Sequence, residues 1–243
     1  MSEPRAEHAT DLAGVPGRVA AVRRRIAAAA RRAGRDPGEV TLVAVAKLQP
    51  PEAIWAALAA GVPDIGENYA QELAARAAAV PGARWHFIGR LQRNKAAVVV
   101  ETGALVHSLD SLPAARALGR RGLAGGAAAR ALVQVELDQR AATHGVPAVG
   151  LEDFVAACRR VEGLRLEGLM LMPAPAASPE DQRPLFRRLA ELAKRLGAGM
   201  QALSMGMTAD FEVAVEEGAT LVRVGTAIFG ARPTKKVTKG GAA

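Results

Sequence analysis

Val40-Thr-Leu-Val-Ala-Val-Ala46 is an almost unbroken apolar run that ends on Lys47 and is followed by Leu48-Gln-Pro-Pro51. A short run rich in valine and closed by two prolines reads as a buried strand rather than a helix. Its flanks say what kind of sheet it enters. Upstream, residues 15–33 repeat valine, isoleucine and alanine between arginines at helical spacing, and Gly34 with Asp36-Pro37-Gly38 stops the pattern. Downstream, Pro51 opens a helix in the position where proline is best tolerated, and Gly61 closes it.

The strand–helix rhythm continues to the far end. Strands are expected at 64–66, 84–88, 105–108, 130–137, 164–171, 202–205 and 220–224, with helices at 69–79, 94–100, 112–121, 151–161, 181–196 and 209–217. Eight strands alternating with helical segments imply a parallel sheet, and eight such units close into a barrel. The fold class expected is α/β: a single (β/α)8 TIM barrel with an extra N-terminal helix. It spans residues 1–232, and a basic tail, 233–243, is expected to fray. The structural alternative is a doubly wound open sheet. That fold usually has fewer strands, and no Gly-x-Gly-x-x-Gly follows the first strand here.

Composition narrows the function classes. Half of the 243 residues are hydrophobic, yet no apolar run approaches the roughly 18 residues of a membrane span. Met1-Ser-Glu-Pro-Arg-Ala-Glu-His places charges where a signal peptide needs an apolar stretch, so a cytoplasmic location is expected. The lone cysteine, Cys158, lies in an apolar helical run and reads as a small core residue. A net charge of +8 raises the question of a nucleic-acid partner. The arginines sit on helices beside apolar residues, as solvated faces do, and aromatic residues at 3% are too few to stack bases. Neither a nucleic acid nor a membrane is expected as partner.

In this fold chemistry collects at the C-terminal ends of the strands. The chain has six lysines, of which three lie in the tail, two on expected helices, and Lys47 alone at the end of an apolar strand. Desolvation there favours the free amine, the form that attacks carbonyls. The bland alternative is a lysine that snorkels out of the barrel mouth or pairs with Glu67. A second clue lies in Ser204-Met-Gly-Met-Thr208 and Arg223-Val-Gly-Thr-Ala227, which follow the seventh and eighth strands, the recurrent phosphate position in such barrels. Glycines admit backbone N–H groups to an anion; Ser204 and Thr226 add hydroxyls and Arg223 a permanent charge. Each loop alone also reads as a turn with a helix cap.

With these residues in view, the sequence resembles the pyridoxal phosphate homeostasis protein family. The resemblance rests on Val43-Ala-Val-Ala-Lys47, Gly66-Glu-Asn-Tyr69, Trp85-His-Phe-Ile-Gly89 with Leu91-Gln-Arg-Asn-Lys95, His107-Ser-Leu-Asp110, Gly168-Leu-Met170, Leu203-Ser-Met-Gly-Met207 and Val222-Arg-Val-Gly-Thr-Ala-Ile-Phe-Gly230. It implies a barrel like the N-terminal domain of alanine racemase, with pyridoxal 5′-phosphate (PLP) held as a Schiff base on Lys47. The cofactor-binding set it implies is Lys47, Asn68, His86, Ser204, Gly206, Met207, Arg223, Gly225 and Thr226; no metal ligand is assigned. Two departures stand out. The family usually has a serine before the lysine and a hydroxylated residue after it, where this chain has Ala46 and Leu48, and the loop Ala141-Ala-Thr-His-Gly-Val146 lacks the lysine common in relatives.

The function implied is intracellular PLP homeostasis, by buffering or by delivery to PLP-dependent apoenzymes, by a protein without established catalytic activity, expected to be a monomer. The alternative is an amino-acid racemase of low activity. Racemisation by two bases needs an acid/base on each face of the substrate. Tyr69 is the only tyrosine, and it is expected to start a helix and pack inward. An arginine at the pyridine nitrogen would also weaken the ring as an electron sink.

Overall fold

In a computed structural model of the chain, residues 11–138 and 144–230 are described. The strands run β1 (Thr41–Val45), β2 (Asp64–Glu67), β3 (Arg84–Phe87), β4 (Leu105–Leu109), β5 (Ala129–Glu136), β6 (Val146–Pro147), β7 (Leu164–Met170), β8 (Ala202–Ser204) and β9 (Leu221–Val224). All pairings are parallel. Strands β4-β3-β2-β1-β9-β8-β7-β5 neighbour one another in that order, and a β4–β5 pairing closes the ring. The expected eight-stranded barrel is therefore the fold. The additional strand, β6, is two residues long and among the described residues pairs only with β5, Val135 opposite Val146. A pair ending in Pro147 carries no readable period, and proline is tolerated there because β6 lies at an edge.

The helices are α1 (Val15–Arg32), α2 (Pro51–Ala59), α3 (Ala70–Ala79), α4 (Ala96–Glu101), α5 (Leu112–Ala124), α6 (Leu151–Arg159), α7 (Arg183–Leu196), α8 (Phe211–Glu216) and α9 (Thr226–Phe229). The extra helix α1 buries Val15, Val19, Val22, Ile26, Ala29 and Ala30, one stripe at three- and four-residue spacing. That stripe packs against α8, α9 and α2, over the seam where β9 meets β1. Its arginines reach the same neighbours: Arg18 donates to the Ile228 carbonyl at 2.6 Å, and Arg25 and Arg32 pair with Glu212 and Glu216. On α7, Arg183 contacts Glu180, Glu216 and Glu217, and Arg187 contacts Glu217. Much of the basic character read from the sequence thus lies on helix faces beside carboxylates. Cys158 is buried, and burial pushes its thiol up to about 11. Among the described residues no helix is long and apolar enough to cross a membrane. The tail at 233–243 and residues 141–143 of the 141–146 loop lie outside the described residues.

Period-two alternation sorts the strand residues between two environments. Leu42 and Ala44 face the helices, whereas Val43 packs inside with Leu105, Leu132, Met170 and Leu221. The same alternation brings polar side chains into the barrel: Asp64, His86, His107, Ser204 and Arg223 are all buried.

Candidate functional site at the barrel mouth

Lys47 follows β1 in a tight turn. Gln49 N–H donates to the Ala46 carbonyl at 2.9 Å, and Leu48 between them sits at φ 63°. A branched residue in the left-handed region costs about 1 kcal/mol, so surrounding contacts must hold the turn. Arg76 of α3 does so, donating to the Ala46 carbonyl at 2.8 Å and to the Gln49 carbonyl at 2.7 Å. The same guanidinium contacts the fully buried Glu67. Glu67 is therefore committed to Arg76 and does not pair with Lys47.

The turn carries Lys47 out to the barrel mouth, where it is partly buried, so the desolvation expected of it is partial. Its ammonium stands 5.4 Å from the centre of the Tyr69 ring. Tyr69 itself is 47% exposed, which corrects the expectation that it packs inward. It is the N-cap residue of α3 with extended backbone, and that geometry turns its ring toward the mouth.

Lys47 borders a cavity of about 370 Å³ at the C-terminal ends of the strands. Asn68, Met207, Arg223, Gly225 and Thr226 border it too, with Thr208 and an apolar wall of Val45, Ile88, Met170 and Met172. Six of the nine residues expected from the sequence meet here. The other three lie behind the lining. His86 is on β3 inside the barrel, its ring nitrogens engaged by Asp64 and His107. Ser204 is fully buried between His107 and Arg223. Gly206 takes φ 87°, and a Cβ there would lie 2.5 Å from the Ala214 Cβ, so it is glycine because helix α8 packs on it.

Arg223 is the electrostatic centre of the site. It is buried, donates to Ser204 Oγ at 2.5 Å and to the Leu171 carbonyl at 2.9 Å, and forms no ion pair among the described residues. Burial pulls its guanidinium down to about 10, with Asp210 acting in the opposite sense. A buried cation held only by neutral acceptors is costly unless an anion completes it. A second incomplete group is Asn68, whose Oδ1 is buried with no hydrogen-bond partner among the described residues. The segment carrying Asn68 lies so close to Gly89 that a Cβ there would come within 1.8 Å of the Asn68 carbonyl oxygen. Thr226 Oγ1, at the start of α9, and Thr208 Oγ1, on the loop after β8, lie 3.3 Å apart.

Two contributors had no assignable role in the sequence. Arg76 is on a helix, and nothing local says that it reaches back to the β1 turn. Asp64 opens a strand, at the barrel end where the strand-terminus rule does not look.

An amine, a buried guanidinium, hydroxyls and an apolar wall at the mouth of a parallel barrel define a site for an anionic, carbonyl-bearing small molecule. The family described as "Alanine racemase, N-terminal domain" matches residues 18–233. A relative in Pseudomonas aeruginosa, named pyridoxal phosphate homeostasis protein, is 43% identical over 216 residues, which are 88% of this chain and 94% of that one. The chain belongs to the pyridoxal phosphate homeostasis protein family. The structure of PipY from Synechococcus elongatus with PLP bound superposes with a TM-score of 0.78 at 32% identity, covering 89% of this chain and 100% of that one. Corynebacterium glutamicum alanine racemase, at 18% identity and a TM-score of 0.68 over 96% of this chain and 65% of the racemase, shares the fold.

Proposed function

We propose that the chain binds PLP at the barrel mouth, with its aldehyde condensed as a Schiff base with Lys47, and serves PLP homeostasis rather than turnover. The observation that carries this is the buried Arg223 guanidinium, without an ion pair among the described residues, in the same cavity as the Lys47 amine. An anionic ligand with an aldehyde answers both groups. Thr208, Thr226 and the backbone at Gly225 suit a phosphate, while Ile88, Met170 and Met172 suit an aromatic ring. Asn68 Oδ1 offers an acceptor that no donor among the described residues uses. When bound, PLP supplies an aldehyde that exchanges between amines with gain and loss of water, the chemistry that reversible storage needs.

The residues around Lys47 favour a carrier over a racemase. Tyr69 stands beside Lys47 instead of across the cavity from it, so these two groups do not supply acid/base catalysis on opposite faces. His86 and His107 are committed to each other and to Asp64 and Ser204. A monomeric, cytoplasmic protein that hands PLP to apoenzymes belongs to the same reading, and light scattering checks its oligomeric state.

The test is the visible spectrum of purified protein with PLP, before and after borohydride, beside Lys47→Ala. A yellow band that borohydride fixes at Lys47, and that the variant lacks, is expected. A wild-type protein with no such band sinks the proposal. Turnover of any amino acid above the Lys47→Ala background would favour the racemase.

A further inference from the structure

Five buried polar side chains form one continuous row through the barrel. Asp64 Oδ1 lies 3.0 Å from His86 Nε2, His86 Nδ1 lies 2.9 Å from His107 Nε2, and His107 Nδ1 lies 2.8 Å from Ser204 Oγ. Ser204 Oγ accepts from Arg223 at 2.5 Å. The row starts at the N-terminal end of the barrel, where Asp64 and Arg84 border a separate cavity of about 510 Å³. It finishes at the mouth on Arg223. Neither His107 nor Asp64 lines the mouth cavity, and the proposed function gives them no task.

We propose that Asp64, His86, His107 and Ser204 form a one-way hydrogen-bond relay that positions Arg223 for its ligand, with both histidines fixed as Nε2–H tautomers. The direction follows from the Asp64 end. An ionised carboxylate only accepts, so His86 Nε2 carries a proton; a neutral His86 then accepts at Nδ1, which requires Nε2–H on His107. His107 in turn accepts at Nδ1, and the Ser204 hydroxyl is its donor. A guanidinium only donates, so at the other end Ser204 offers Arg223 a lone pair, and its single proton is free to point to His107. The Arg223 end thus accommodates the sense that the Asp64 end sets.

The charged and titratable neighbours agree. Arg84 contacts Asp64 through two nitrogens at 3.0 and 2.5 Å, which keeps the carboxylate in its acceptor-only form. His107 is fully buried, and burial, with the charges of Arg223 and Arg130 acting in the same sense, holds it well below the usual imidazole range, hence neutral. The consequence for the site is geometric. With its proton turned to His107, Ser204 anchors one arm of Arg223 while the Leu171 carbonyl holds the other. His107 and Ser204 are thus positioning residues; the ligand they serve rests on the proposed function.

Long-range proton–nitrogen NMR of the imidazoles in ligand-free protein reads the tautomers without PLP. Bare Nδ1 and protonated Nε2 on both rings are expected; Nδ1–H on His107, or two N–H groups on His86, overturns the relay. PLP titration then reads its effect. His107→Leu and Ser204→Ala are each expected to weaken binding about tenfold, and the double variant no more than either single one. The bound-PLP absorption maximum should move in His107→Leu. His107→Asn puts an acceptor near the position of Nδ1 and should recover most of the affinity and the wild-type spectrum. Packing alone predicts the reverse order, since leucine keeps the volume. Wild-type affinity and spectrum in His107→Leu, or losses that multiply in the double variant, overturn the proposal. Should His107→Leu fail to fold, Ser204→Ala and His107→Asn still decide it. A wild type that binds no PLP defeats the proposed function, while the tautomers still judge the relay.

Discussion

Arg76→Met removes the guanidinium that holds the Lys47 turn while keeping a side chain of similar reach. Two donations to backbone carbonyls disappear, at 2.8 Å to Ala46 and 2.7 Å to Gln49, together with the contact to Glu67. Glu67 is 0% exposed, so its carboxylate is left buried beside a thioether. Breaking a buried pair by deleting one partner costs about 3–5 kcal/mol, and that loss dominates. Arg76→Met is therefore expected to lower unfolding stability by about 4 kcal/mol, read from urea melts at unchanged m. Glu67→Gln combined with Arg76→Met removes the stranded charge and should recover about half of that loss, because an amide is cheaper to bury than a carboxylate. Arg76→Lys should fall between, since one ammonium cannot serve two carbonyls and a carboxylate in the fork geometry. The functional readout is PLP affinity, which should weaken as the Lys47 turn loosens. A stability change below about 1 kcal/mol in Arg76→Met, or a double variant no better than the single one, would refute the reasoning.

Two further predictions concern the barrel's interior. Burial by itself would raise the Asp64 carboxyl, but hydrogen bonds from His86 and Arg84 outweigh it and hold Asp64 at about 2, against 3.8 for the free group. Stability from this depressed value is complete above pH 3.8 and is lost as pH falls through about 2. It amounts to about 2 kcal/mol, and Asp64→Asn should flatten the stability curve over that interval in pH-dependent urea melts. Gly206→Ala forces a Cβ to 2.5 Å from the Ala214 Cβ and 2.9 Å from the Phe211 Cα at φ 87°. Left-handed strain and overpacking together should cost about 2–4 kcal/mol; a melt unchanged from wild type would show that the loop before α8 is free to shift.

Local rules carried much of the fold. The valine run before Lys47, proline at Pro51 and the alternation of short apolar runs with alanine-rich helices identified the eight barrel strands, because strand period and turn chemistry are properties of neighbouring residues. They missed β6, which has two residues and no period to read. At the site, the loops after β8 and β9 and the single strand-ending lysine were legible for the same reason, and Lys47, Asn68, Met207, Arg223, Gly225 and Thr226 meet at one cavity. What escaped was whatever depended on closure. Period two says that His86, His107, Ser204 and Arg223 point inward, but which inward residues touch is set by the tilt and stagger of the closed barrel. His107 and Ser204 are 97 residues apart in the chain and 2.8 Å apart in space. Exposure escaped as well: the sequence marks Tyr69 as aromatic, and only the extended N-cap backbone of α3 turns it outward beside Lys47. The sequence by itself determined which side chains stand at strand ends and which way each strand residue faces, since both follow from local geometry. Tertiary structure alone decided their partners, because a barrel closes through contacts between strands remote in the chain.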